Sequence, residues 1–175
     1  MSSELVQLRG EDFEDTIDFM NLVFGAYAPI DFAQLLPALY QPTDEHMGRN
    51  WAVREKGRIR AVVGSFPMQW CLGETTLEVA GIGGVSSHPR ARGAGHMRQL
   101  MQHCVEHMRT ENKHLSWLGG QRQRYGYFGY EKCGSAHNFS LDKTNLRHTY
   151  GNETSPIHFR TLQADNRTHI QGAIE

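Results

Sequence analysis

Hydrophobic positions change period along the chain, and the changes divide it into elements. A short apolar run, Leu5 to Leu8, reads as a strand. After Asp12, which can cap a helix, Phe13, Ile17, Met20, Val23 and Phe24 recur at helical spacing, and Gly25 ends the pattern. A second helix is predicted from Asp31 (DFAQLL), broken or kinked at Pro37. From Trp51 the period shortens. "WAVREKGRIRAVVGSF" predicts strand, tight turn at Glu55-Lys56-Gly57, then strand. "MQWCLGETTLEVAGIGGVSS" predicts a further hairpin around Gly73, and strands joined by short turns are antiparallel. Helical spacing returns with Met97, Leu100, Met101, Cys104, Val105 and Met108, one apolar stripe on a single helix. "HLSWLGG" follows as a short buried strand, parallel to the one before the helix. "QRQRYGYFGY" reads as a turn of helix or loop, and "YEKCGSAHNFSL" as the last strands. The sum is an α/β (α+β) fold: a mixed, mainly antiparallel sheet flanked by helices.

The tail, "TSPIHFRTLQADNRTHIQGAIE", predicts a strand and then the first turns of a helix ending at Glu175. It echoes the opening "ELVQLRGEDFEDTIDFM". Two readings stand level: a frayed terminal helix, or a chain that continues. The expected division is a domain over 1–150 and a C-terminal extension over 151–175, which on the second reading is the start of another domain.

At 175 residues the chain has the size of one well-packed domain. Its 18 Lys and Arg against 19 Asp and Glu leave a formal charge of −1, with no overall field toward nucleic acid or a membrane surface. No apolar stretch spans a bilayer, and "MSSELVQLRG" has no signal-peptide pattern, so the expected location is the cytoplasm. Cys71, Cys104 and Cys133 are widely spaced and suit packing in a reducing compartment. His103 and His107 stand four apart, as in a metal pair. They fall away from the apolar stripe, with His96 on the same side, and lack a third ligand; a solvated face without metal is the expectation. The arginines of "QRQRY" lack the aromatic motif of an RNA platform. Trp51, Trp70 and Trp117 fall in strands and are expected to pack, as are Tyr127, Phe128 and Tyr130.

The segment with most chemistry is "HPRARGAGH", at the mouth of the stripe-bearing helix. First-turn N–H groups lack partners, and the aligned peptide dipoles add positive potential there. Ala91, Gly93, Ala94 and Gly95 let a backbone approach a bulky anion, and Arg90 and Arg92 can add charge-assisted bonds. This is a loop for phosphate or pyrophosphate. A Walker A loop is excluded because Gly95 precedes His96 rather than Lys. A Rossmann fingerprint is excluded because Arg98 stands where its third glycine belongs. The glycine-rich lead-in "AGIGGV" allows a linear ligand to lie along Gly83–Ser87 with its phosphates at the helix.

"RARGAG" resembles the R/Q-x-x-G-x-G/A signature of the GNAT superfamily of acyl-CoA N-acyltransferases. "GGVSSHP" resembles that superfamily's fourth strand, and "RYGYFGYE" its Y-x-x-x-G-F/Y motif, with Tyr125, Gly129 and Tyr130 in place. The likeness covers roughly residues 5 to 145. Its wording is nearest to the enhanced-intracellular-survival (Eis) subgroup, whose members often carry two such domains in tandem.

The resemblance implies N-acetyl transfer from acetyl-CoA directly to the primary amine of a small molecule or peptide. N–H groups around Val85, Ser86 and Ser87 would hold pantetheine, and the loop from Arg90 to His96 the pyrophosphate. Gly120 and Gln121 would also touch the cofactor. Tyr125 would protonate the departing thiolate. No metal, membrane or nucleic-acid partner is implied, and a homo-oligomer is left open. The general base stays open: Glu78 is on the right strand, but alternation could point it outward. Asp31, Asp44 and Glu45 are candidates for an acceptor wall. The alternative function is a non-catalytic CoA-binding module of a larger tandem protein.

Overall fold

A computed structural model describes residues 3–26, 29–135, 137–151, 161, 163 and 165–174. The chain divides into two compact units, Met1–Lys132 and Cys133–Glu175.

The first unit is a sheet of five strands in the order of the sequence. Strand β1 is Ser3–Gln7, β2 Asn50–Glu55, β3 Arg58–Leu72, β4 Thr75–Ser87 and β5 Leu115–Trp117. Neighbours are antiparallel except β4 and β5, which are parallel, so the predicted mixed sheet is present. A two-residue turn joins β2 to β3, with Lys56 at φ 51° and Gly57 at φ 75°. Positive φ at both central positions matches the twist of the flanking strands. The two predicted hairpins share one unbroken β3. Pro67 does not break it because β2 pairing ends at Gly64, with Ser65 N–H donating to the carbonyl of Arg49. By alternation the Pro67 nitrogen lies on that same edge, where no ladder donor is needed.

Helix α1 (Phe13–Phe24) covers one face of the sheet. Its Ile17, Phe19 and Met20 pack with Leu8, Phe32, Tyr40, Ala52, Val62 and Phe66. Two short helices, α2 (Phe32–Leu35) and α3 (Asp44–Met47), close that side. Helix α4 (His96–Thr110) covers the other face, setting Leu100, Met101, Cys104 and Met108 against Val53, Ala61, Val63, Ala80 and Ile82. The predicted stripe is therefore the core of α4. After β5 comes α5 (Arg122–Tyr125), one turn continued by a 3-10 turn, Gly126–Phe128.

Several expectations are corrected. The described residues of "YEKCGSAHNFSL" form no strand, and Phe139 and Leu141 are exposed, so their apolar side chains supply no strand with a buried face. Trp70 and Trp117 do not pack inside. Trp117 is 52% exposed on the last strand of the sheet, and Trp70 sits where the β3–β4 hairpin runs past β2. Tyr127, at 86% exposure, lies outside the core, whereas Phe128 and Tyr130 pack against the α4 side. His103 and His107 are half-buried rather than fully solvated: α4 lays them on the Trp51 ring, with centroids 4.2 and 5.3 Å away. Nor is His96 solvated. It is buried, with Nε2 3.2 Å from Glu55 Oε1, though off the angle of a hydrogen bond.

In the second unit, α6 (Lys143–Tyr150) has a reciprocal cap. The Asp142 carboxylate accepts from Asn145 N–H, and the Asn145 side chain accepts from Asp142 N–H. The helix predicted in the tail is α7 (Arg167–Ile174). The strand predicted before it falls mainly on 152–160, outside the described residues.

Candidate active site

The site begins with a dislocation in β4. Gly64 of β3 pairs with Gly83, but Val62 pairs with Ser86, so β4 carries one extra residue there. Gly84, at φ +60°, takes the strain of this bulge. A Cβ on Gly84 would sit 2.7 Å from Tyr40 Oη and 2.9 Å from Met20 Cε, so glycine is required twice over. The Ser86 hydroxyl donates to the Gly84 carbonyl at 2.9 Å and holds the bulge closed.

The bulge re-aims the backbone. Lower on β4, His114 N–H donates to the Glu78 carbonyl and Ser116 Oγ to that of Ala80, so even-numbered residues face β5. Above the bulge His88 N–H donates to the Arg60 carbonyl, so even-numbered residues face β3. Alternation then turns the N–H groups of Val85 and Ser87 toward the β5 side. Pairing with β5 stops at Gly81 and Trp117, and among the described residues no strand covers β4 beyond it. The two strands part at that level, leaving a row of edge donors.

The row leads to the mouth of α4. His88 Nδ1 accepts from Arg90 N–H and starts a 3-10 turn, Pro89–Ala91. Gly93 and Gly95 then adopt φ +82° and +84°, and a Cβ on either would meet nothing within 4 Å. Conformation rather than crowding selects glycine here, and the space above is open. The first intrahelical bond runs from Gln99 N–H to the Gly95 carbonyl, so the N–H groups of residues 95–98 have no helical acceptor. A cleft of about 430 Å³ opens above them, lined by Ser87, Arg92, Arg98, Arg124 and the Tyr127–Phe128 edge among others. Among the described residues none of the three arginines has an ion pair. An electropositive cleft floored by free amides fits a diphosphate.

The structure gathers Ser87, Ala91, Arg92, Gly93, Gly95 and His96 around this cleft, with Val85 just below on the open edge. His96 offers only its backbone, because its ring is turned toward Glu55. Ser86 faces β3 and is occupied by the bulge. Arg90 and Ala94 lie outside the lining. Arg98 and Arg124 were not singled out in the sequence. Arg98 sits in the first turn of α4, the position from which a cation reaches a ligand at the helix mouth. Arg124 is separable from Arg122 only by contact, since Glu131 holds Arg122 with two hydrogen bonds of 2.8 and 2.7 Å.

Tyr125 ends α5, where Gln121 caps the turn with its carbonyl. Its ring is buried on the α4 side, and Gly120 is the floor: a Cβ there would run into the ring. The Tyr125 hydroxyl makes no hydrogen bond to a described residue, yet it is not sealed from solvent. Elsewhere polar groups are engaged. Glu78 pairs with Lys113 at 3.6 Å and accepts from Gln69 at 2.8 Å. Asp31 caps α2, Asp44 accepts from Gly10 N–H, and Glu45 pairs with Arg49. Burial pushes the Cys104 thiol up to about 12, far from a nucleophilic thiolate. Among the described residues no cluster of three or more His, Cys, Asp or Glu occurs, and no helix is long and apolar enough to cross a membrane.

Comparisons with known proteins agree with this fold. A conserved protein from Enterococcus faecalis V583, described as a probable N-acyltransferase, superposes with a TM-score of 0.64 at 19% identity, over 75% of this chain and 33% of its own. A GCN5-related N-acetyltransferase from Kribbella flavida gives 0.59 at 22% identity, over 74% and 33%. A predicted acetyltransferase from Clostridium acetobutylicum, solved with acetyl-CoA, gives 0.58 at 16% identity, over 80% and 97%. The chain thus spans about one third of the length of the first two. Among curated proteins none matches. The family described as the acetyltransferase (GNAT) domain matches residues 4–133, and the chain belongs to that family.

Proposed function

We propose that this protein is an N-acetyltransferase that moves an acetyl group from acetyl-CoA to a primary amine by direct attack. The observation that carries the reading is the β4 bulge at Gly84, which aims Val85 and Ser87 N–H at an open edge leading to the loop of Arg92–His96. Those two donors suit the amides of pantetheine. Free amides at Gly93, Gly95 and His96, with Arg92, Arg98 and Arg124 around them, suit the diphosphate. Gly120 and Gln121, also expected at the cofactor, set the Tyr125 ring beside it. When bound, acetyl-CoA supplies an activated acetyl group on a thiol leaving group. The neutral amine attacks the thioester carbon, the nitrogen gives up a proton to solvent, the C–S bond breaks, and the Tyr125 phenol gives its proton to the departing thiolate and regains one from solvent. The amine must first lose a proton. Glu78 does not fit that task, tied to Lys113 and Gln69 at the far end of β4.

The engagement of Glu78 with Lys113 and Gln69 favours one second reading, a CoA-binding module within a longer protein. An Eis-like tandem, with a second domain begun by 151–175, is the arrangement we propose for that protein. Titration with CoA by calorimetry, followed by release of free thiol from acetyl-CoA across a panel of amines, separates the readings. Binding with turnover supports the enzyme, binding without turnover supports the module, and no binding refutes both.

A further inference from the structure

The bulge has a second neighbour whose role the cofactor reading leaves unassigned. Tyr40 lies on the α1 face of the sheet, opposite the Tyr125 side. Its ring is 3% exposed and makes edge contacts with Phe32 and Phe66, at centroid distances of 5.7 and 6.0 Å. That clamp points the hydroxyl at Gly84 and leaves it 2.7 Å from where a Cβ would stand. A buried tyrosine hydroxyl ordinarily finds a partner. This one has no hydrogen bond to a described residue, yet it is not sealed from solvent. A packing role would be served as well by phenylalanine. Gly84 immediately precedes Val85, whose N–H faces the open edge, so the hydroxyl lies against the residue next to that donor.

We propose that Tyr40 is a further residue of the acyl site, its hydroxyl donating a hydrogen bond to the thioester carbonyl oxygen beside the Val85 N–H. Two donors on one oxygen stabilise the negative charge that grows there when an amine attacks. Burial raises the Tyr40 phenol above its ordinary value, so at neutral pH it is a donor and not a base. Gly84 is needed because any side chain would push the hydroxyl away from that point. The assignment rests on the acetyl-CoA reading and adds a residue to it.

The test uses the whole chain with CoA and with acetyl-CoA carrying carbon-13 at the carbonyl. In Tyr40→Phe, affinity for free CoA is expected to stay within twofold of the unaltered protein. Affinity for acetyl-CoA is expected to fall by about two- to tenfold, the range of one neutral hydrogen bond. The infrared carbonyl stretch of the bound thioester, lowered in the unaltered protein, is expected to move back toward its free value. Ile17→Val removes a methyl group from the same core cluster at a residue with no ring contact to Tyr40. It is expected to lower stability and leave the carbonyl frequency in place. If the unaltered protein binds both ligands and Tyr40→Phe keeps its carbonyl frequency and acetyl-CoA affinity, the assignment of Tyr40 is overturned while the cofactor reading stands. If the unaltered protein binds neither, both fall together.

Discussion

Substitution of Gly84 by alanine tests the bulge on which the site is built. Two costs apply. A residue with a Cβ at φ +60° carries roughly 1–2 kcal/mol of backbone strain. Its Cβ must also displace Tyr40 Oη and Met20 Cε, at 2.7 and 2.9 Å, and overpacking of that kind costs about 1–3 kcal/mol. A more restricted unfolded chain returns about 0.4–1 kcal/mol. The net expectation is a loss of about 1.5–4 kcal/mol. Gly93→Ala is the matched control: φ is +82°, but nothing lies within 4 Å of the new Cβ, so only strain remains. Urea unfolding followed by tryptophan fluorescence reads the right unit, because Trp51, Trp70 and Trp117 all lie in its sheet. Equal losses at the two glycines, or a loss at Gly84 no greater than that at Gly93, would refute the close packing of Tyr40 and Met20 under the bulge.

Tyr125→Phe is expected to lower kcat roughly 10²- to 10⁴-fold on the best amine of a panel, with CoA affinity within twofold. A fall in affinity with kcat kept would make Tyr125 a binding residue. His103 is held below its ordinary value of 6.5 by burial first and by repulsion from His107 second. The unfolded chain therefore binds more protons, and stability contributed by the neutral ring is lost as pH falls through about 6.5. His103→Leu should flatten the dependence of the urea midpoint between pH 7.5 and 5.5, and an unchanged slope would contradict this. Leu100→Ala, at a fully buried position of α4, is expected to cost about 2–5 kcal/mol in the same unfolding assay. A loss below about 1 kcal/mol would mean that the α4 face is not tightly packed.

Local signals were legible where one element decides its own shape. The stripe from Met97 to Met108, the helix start at Asp31 and the Lys56–Gly57 turn each follow from a few residues and came through intact, whereas the Asp12 carboxylate accepts from Arg9 N–H and pairs with Arg54 instead of capping α1. The parallel β4–β5 pair followed from the strand–helix–strand order. What failed depended on partners distant in sequence. Trp117 reads as a strand residue and is one, but its exposure depends on being at the sheet's end. His103 and His107 read as surface because their angle on the helix omits Trp51, which arrives from β2. Within the site, the loop was readable from its glycines. The parity change at Gly84 was not, since "GIGGV" does not say which glycine takes the extra position. Arg124 and Arg122 look alike in sequence, and only the position of Glu131 separates them.

The central claim is that β4 and the mouth of α4 form one continuous row of amide donors for a CoA thioester. Amide resonances followed during titration with CoA test it directly. Val85, Ser87, Gly93, Gly95 and His96 should shift together and saturate at one dissociation constant. Shifts confined to a different cleft, such as that of about 310 Å³ between the last turns of α4 and Phe128–Tyr130, or no shifts at all, would contradict it.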